Sequence, residues 1–144
     1  MMLEPLIEQF ISDCRRRKIS VTVQRIAVYR DLINTDTHPT AEEIYQRLSA
    51  QFPMLSLATV YKTLETFEKN GFITKSRAGG ESARYDANKK LHHHLVCRVC
   101  GKMEDLYDDK LEGITVSSSV TREYDVHHYR IDFFGTCPQC KTKT

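Results

Sequence analysis

The sequence contains no apolar run approaching the roughly 18 residues that would cross a bilayer, and it has no Gly/Ser-rich or low-complexity stretch. A membrane span and a long flexible linker are therefore not expected. No apolar leader opens the chain and its five cysteines are an odd count, so an oxidising compartment and a disulfide framework are not expected either; a cytoplasmic setting is. Charge of one sign is also scarce: 21 Lys and Arg against 19 Asp and Glu leave a net charge of +2. Residues 1–84 hold 12 basic against 10 acidic side chains, and residues 85–144 hold nine of each. A monomer this nearly neutral binds DNA weakly unless it dimerises and gathers its cations on one face. With 40% hydrophobic and 28% charged residues, the 144-residue composition is that of a soluble globular protein with one ordinary core or two small ones.

What the chain does have is sulfur in pairs. Cys97-x2-Cys100 and Cys137-x2-Cys140 carry the usual signature of a tetrahedral structural zinc, since a two-residue gap lets both sulfurs face one ion at about 2.3 Å. Residues 101–136 exceed the roughly 15 to 20 that separate the pairs of a compact zinc ribbon. The metal is thus expected to clasp two ends of a small subdomain. Thiol redox pairs are the plainer alternative. A zinc deaminase would need His-x-Glu followed by Pro-Cys-x2-Cys, whereas here Leu95 and Val96 follow His92-His93-His94 and Pro138 lies between the cysteines.

Upstream, Leu3, Leu6, Ile7, Phe10, Ile11 and Cys14 fall at helical spacing, with Cys14 most simply a small core residue. Arg15-Arg16-Arg17-Lys18 follows, as a solvated helix end or as phosphate contacts. Thr22 predicts the N-cap of a second helix reaching Ile33, and Thr40-Ala41-Glu42-Glu43 a capping box opening a third. Pro39 biases His38 towards an extended conformation at that helix entrance, where a lone histidine is more often a surface residue than a ligand. Ser56 is expected to cap a fourth helix, Leu57 to about Asn70, whose Leu57, Val60, Leu64 and Phe67 turn inward. Its other side offers Ala58, Thr59, Tyr61, Lys62, Thr66 and Lys69, a small, hydroxyl-rich, cationic face suited to a major groove. Residues 72–77 and 82–86 then predict a basic hairpin turning at Gly79-Gly80, so that the helices and hairpin together make a winged helix-turn-helix.

Residues 87–91 are expected to form a short hinge between residues 1–86 and residues 92–144. Beyond it, strand alternation would point His92 and His94 to one side and His93 to the other, a pair suited to a metal whose further ligands come from elsewhere. A strand is predicted over 102–107, and a weak helix containing Leu111 and Ile114 after Asp108 or Asp109. A half-buried strand is predicted within 120–134, where Tyr129, Ile131 and Phe133 alternate.

His38-Pro39-Thr40-Ala41-Glu42-Glu43-Ile44-Tyr45, Ala58-Thr59-Val60-Tyr61, Arg84-Tyr85-Asp86, and His92-His93-His94-Leu95-Val96-Cys97-x2-Cys100-Gly101-Lys102 stand in this order before the last cysteine pair. Over almost its whole length the chain thereby resembles the ferric uptake regulator family of bacterial metal- and peroxide-responsive repressors. The resemblance implies an α+β protein: an N-terminal winged helix-turn-helix domain followed by a small α/β dimerisation domain with a structural zinc site of four cysteines. It places that zinc on Cys97, Cys100, Cys137 and Cys140, and a regulatory metal on His38, Asp86, His92, His94 and Asp105. Imidazoles and carboxylates suit Fe(II), Mn(II) or Zn(II) rather than Cu(I). Asp at 86 and 105, in place of Glu, resembles the peroxide-sensing branch, in which bound Fe(II) leads to oxidation of histidines equivalent to His38 and His92. Sensing of iron, zinc or manganese status without self-oxidation is the alternative.

Val23 departs from the proline frequent in the family at the start of the second helix. A further metal site of some members would fall on Leu91, His93, Glu112 and Tyr129 and is expected to be absent or altered, leaving His127 and His128 as polar or packing residues. The expected partners are a second copy of the chain and double-stranded DNA with an inverted-repeat operator, with no membrane and no small organic substrate. Tyr61 and Lys62 are the base-proximal candidates, with Thr59 on the same face, and Arg15, Arg16, Arg17, Lys18, Arg77 and Arg84 are candidates for the backbone. An enzyme, either a zinc hydrolase or a thiol oxidoreductase, is the competing class; four cysteines would close the coordination position that a hydrolytic zinc needs open.

Overall fold

The computed structural model describes residues 3–80, 82–88, 90 and 92–142, and the chain divides into two compact units, Met1–Lys89 and Lys90–Thr144. Of the expected hinge, Lys89 and Leu91 lie outside the described residues.

The first unit carries four helices, α1 (Leu3–Arg16), α2 (Val23–Ile33), α3 (Ala41–Ser49) and α4 (Leu57–Lys69). Three of them start where hydroxyl side chains meet otherwise orphaned amide groups. Thr22 accepts from the Arg25 amide at 3.1 Å, Thr40 from Glu43 at 3.2 Å and Ser56 from Thr59 at 3.1 Å. Caps of this kind contribute about 1 kcal/mol each. In the second, the Thr40 hydroxyl also reaches the Glu43 carboxylate at 3.2 Å, completing the capping box in its side-chain form. Gly71, at φ 76°, takes the left-handed position after the Asn70 cap and so ends α4.

The inward faces meet around four aromatic rings. Phe10 stacks on Tyr29 at 4.0 Å and meets Phe67 and Phe72 edge-on at 5.2 and 5.0 Å. Val28, Ile44, Val60 and Leu64 are fully enclosed beside them, and Cys14 is buried in the same core. Two short strands follow, β1 (Thr74–Ser76) and β2 (Arg84–Asp86), paired antiparallel with Lys75 opposite Tyr85. Both are shorter than expected, and β1 starts late because Phe72 and Ile73 are both buried in the helical core instead of alternating along a ladder. The segment before α3 joins this wing: Thr40 forms an isolated bridge with Arg84, and the Tyr85 amide donates to the Pro39 carbonyl at 3.0 Å.

In the second unit β3 (His93–Cys97) is central, with β4 (Met103–Leu106) antiparallel on one side and β5 (Asp132–Gly135) parallel on the other. The weak helix expected after Asp108 is a single 3-10 turn, Asp109–Leu111, which Asp108 caps by accepting from the Lys110 amide. The strand expected within 120–134 is confined to β5, and the short helix α5 (Ser118–Thr121) takes its beginning. Tyr129 explains the difference. Its ring stacks on His93 at 5.5 Å, and its hydroxyl donates to the Leu111 carbonyl and accepts from the Ile114 amide, so it clasps a loop instead of extending the ladder. The last element, α6 (Pro138–Lys141), starts with proline at a position whose amide needs no helical partner.

The aromatic cluster makes Phe67→Ala the most damaging truncation expected in the first unit. Urea unfolding should show a loss of about 3–5 kcal/mol, and a loss under about 1 kcal/mol would mean that the cluster does not carry the packing.

Candidate metal centres and nucleic-acid face

The four paired cysteines come together in the second unit. Cys97 ends β3, and the turn beyond it is closed by the Gly101 amide donating to the Cys97 carbonyl, with Gly101 at φ 79°. Cys137 caps α6, and its amide donates to the Cys97 sulfur at 3.3 Å; Cys140 sits one helical turn later. The Cys100 and Cys137 sulfurs lie 3.9 Å apart, and all four are within 4.8 Å of one another. A tetrahedron with metal–sulfur bonds of about 2.3 Å has edges of about 3.8 Å, so the cluster fits zinc.

Two of the thiols are driven in opposite directions. Amide donors from Cys100 and then Cys137 pull the Cys97 thiol down to about 6, while donation to the Cys137 sulfur and burial push Cys140 up to about 12. The Cys97 sulfur is thus favoured as a thiolate, and the Cys140 sulfur resists becoming one. A dication favours the thiolate form of the sulfurs and acid opposes its binding, because protons and metal compete for the same sulfurs. Four sulfur donors leave zinc no open position for hydrolysis.

The nitrogen and oxygen donors form a group within each unit. In the second, Asp105 Oδ1 lies 3.1 Å from His92 Nε2 and 3.6 Å from His94 Nε2, and the two imidazoles meet edge-on at 4.9 Å. Both rings are buried. His92 presents Nε2 because its Nδ1 faces the Lys90 carbonyl at 2.5 Å. His93 points the other way, and its Nδ1 accepts from the Ile131 amide at 2.9 Å.

In the first unit His38 Nδ1 lies 3.6 Å from Asp86 Oδ1. His38 is not the surface residue that its isolation in the sequence suggests; it is only 4% exposed. Nor is it extended, since its φ is 49°. Such a conformation costs a non-glycine residue on the order of 1–3 kcal/mol and persists only where its surroundings impose it. Arg84 helps impose it. Its guanidinium donates to the His38 carbonyl at 3.0 Å and lies 3.4 Å from Glu43. Arg84, expected among the phosphate contacts, is therefore turned inward, with its side chain 17% exposed.

The remaining cationic candidates differ in how far they are already engaged. Arg16 pairs with Asp13 at 2.6 Å, and Arg17 donates to the Asn70 carbonyl while lying over the Phe72 ring. Arg15, Lys18, Lys62 and Arg77 are exposed. Tyr61 is exposed on α4, with its hydroxyl donating to Glu42 at 2.5 Å; this bond holds the Glu42 carboxyl below its usual range and the Tyr61 phenol above its own. Thr59 is half-buried, its hydroxyl 2.9 Å from that of Ser56. His127 and His128 are exposed, and Leu91 lies outside the described residues. Sequence reasoning passed over Asp132, which sits 3.3 Å from His94 Nδ1; its one signal was an acid inside the apolar run Ile131-Asp132-Phe133-Phe134.

A winged helix joined to a metal-binding α/β unit defines a class of metal-responsive DNA-binding regulator. The chain belongs to the ferric uptake regulator family, whose pattern it matches over residues 16–134. Among curated proteins it is similar to the peroxide-responsive repressor PerR of Staphylococcus aureus, 38% identical over 141 residues that cover 98% of this chain and 95% of that one. Among solved structures it is similar to the ferric uptake regulator Fur of Helicobacter pylori, described as having three functional metal-binding sites. The TM-score is 0.80 and the identity 25%, over 96% of this chain and 93% of that one. A structure of PerR from Streptococcus pyogenes, solved for peroxide sensing and gene regulation, aligns with a TM-score of 0.55 and 30% identity over 93% and 92%. Among the described residues no helix is long and apolar enough to cross a membrane.

Elemental analysis of the purified protein is expected to show one tightly held zinc per chain, which Cys140→Ser removes. Loss of that zinc should lower the melting temperature. Full retention of zinc by the Cys140→Ser protein would contradict the four-sulfur site.

Proposed function

We propose that the protein is a homodimeric, metal-dependent transcriptional repressor that senses hydrogen peroxide through oxidation of a ligand histidine. In this reading a structural zinc occupies Cys97, Cys100, Cys137 and Cys140. His38 and Asp86 of the first unit and His92, His94 and Asp105 of the second take one regulatory Fe(II) or Mn(II). The observation that carries the proposal is the convergence of His92 and His94 on Asp105 through Nε2, a nitrogen–oxygen donor group separate from the sulfurs. The similarity to PerR of Staphylococcus aureus supports the peroxide signal.

His38 and Asp86 belong to the unit that also carries the DNA face, and the other ligands belong to the second unit. An ion drawing on both selects one arrangement of the two by its differential affinity; a roughly 100-fold preference corresponds to about 2.7 kcal/mol. Fe(II) held by these residues would supply the redox chemistry by which hydrogen peroxide oxidises a neighbouring imidazole by two electrons, one peroxide oxygen going to the ring and the other leaving as water. His38 and His92 are the rings proposed to take up oxygen, and an oxidised ring is a poorer donor. The site then loses its hold and the DNA-binding arrangement its stabilisation. Tyr61 and Lys62 are assigned to the bases of an inverted-repeat operator, Thr59 to the same face, and Arg15, Arg16, Arg17, Lys18 and Arg77 to the phosphates. Arg84 is assigned instead to holding the His38 backbone. No catalytic turnover is expected, and the setting is cytoplasmic.

A second reading, regulation by metal status without self-oxidation, draws support from the higher TM-score to Fur of Helicobacter pylori. The two separate by peptide mass spectrometry on zinc-containing protein loaded anaerobically with Fe(II), before and after a small dose of hydrogen peroxide, with Mn(II) as control. One added oxygen on the His38 or His92 peptide, in the iron sample alone, is expected. Its absence, with iron-dependent DNA binding intact, would favour the metal-status reading. At the DNA, Lys62→Ala should weaken specific operator binding by about 1–3 kcal/mol at fixed salt, and unchanged affinity would remove Lys62 from the base contacts.

A further inference from the structure

His94 stands between two carboxylates, one from each neighbouring strand. The β3–β4 register sets it opposite Asp105, and the β3–β5 register sets it opposite Asp132. Its Nε2 lies 3.6 Å from Asp105 Oδ1 and its Nδ1 3.3 Å from Asp132 Oδ1. The ring is buried, 1% exposed, so its orientation is set by these neighbours and not by water. Asp132 is held in turn by Arg130, whose Nε lies 3.5 Å from the same oxygen.

An imidazole offers a lone pair from only one nitrogen when the other carries the proton, and the acceptor beside one nitrogen decides which. We infer that Asp132 is a positioning residue for the regulatory metal: it keeps the proton of His94 on Nδ1 and so presents Nε2 as the metal ligand. This inference rests on the assignment of His94 to the regulatory site. His92 is oriented in the same sense by a different group, the neutral Lys90 carbonyl. The two histidines of one site are thus unequal. A carboxylate behind His94 makes its Nε2 the stronger donor, while the Nδ1 of His92 faces a backbone dipole. Arg130 keeps Asp132 aimed and partly neutralised, which suits it to accept a hydrogen bond from His94 without itself joining the ligands.

The test uses full-length protein with zinc in the four-sulfur site. Mn(II) affinity is measured by competition titration, Co(II) coordination by its absorption spectrum, and the His94 tautomer by long-range 15N–1H correlation without regulatory metal. Wild type should show His94 protonated on Nδ1. Asp132→Ala should lower Mn(II) affinity about 10- to 100-fold, keep the zinc, and move the His94 proton towards Nε2, with the Co(II) coordination number unchanged. Wild-type affinity and tautomer in that variant would overturn the inference, and so would a fall in coordination number, which would make Asp132 a ligand. If Asp132→Ala does not fold, Asp132→Asn decides: Mn(II) affinity equal to wild type overturns the role, and a loss supports it. His94→Ala is the separate control, since Mn(II) affinity unchanged there would remove His94 from the metal site and fail the reading beneath the inference.

Discussion

The second unit depends on four cysteine sulfurs being gathered at one point. Its described buried apolar side chains are Val96, Cys97, Met103 and Cys140, and two of these are the cysteines themselves. The first unit, by contrast, packs a continuous core from Ile7 to Tyr85. Three strands of four or five residues do not bury enough surface to stand alone, and small domains of this kind rely on a metal or an oligomer. Zinc bound by cysteines supplies on the order of 10–16 kcal/mol, which is folding free energy when the site is absent from the unfolded chain. Leu95, Phe133 and Phe134, each more than two-fifths exposed, leave an apolar surface beside that site.

One strand links the two kinds of donor. β3 has His93 and His94 at its start and Cys97 at its end, and its register fixes which carboxylates His94 meets. A one-residue slip of β5 would move Asp132 to the opposite face and replace it with an apolar neighbour. The Cys137 amide donating to the Cys97 sulfur ties the chain just after β5 to the end of β3, which opposes such a slip. The sulfur cluster therefore does more than join two loops; it keeps the imidazoles in step with their acids.

How much of this could be read from the sequence depended on the range of the forces involved. Thr22, Thr40 and Ser56 cap helices through hydrogen bonds to amides three residues away, so local spacing revealed them. The cysteine pairs were legible because a two-residue gap has few uses. Local reasoning failed at His38, since its buried, left-handed conformation is imposed by Arg84, 46 residues further on. The same contact engages Arg84, and no nearby residue announced it. Tyr129 has the spacing of one beat of a strand, because alternation does not show whether a hydroxyl has a carbonyl to bind. Asp132 needed the parallel pairing of β3 with β5, which no periodicity in either strand supplies.

Cys14 remains outside both metal centres. It is 1% exposed within the first unit, and burial pushes its thiol above the usual range. A closed molecule gives an electrophile neither access to this sulfur nor a thiolate to attack. Alkylation at Cys14 must wait for the helices to separate, so its rate counts the openings of the first unit, a clock built into the chain at a native residue.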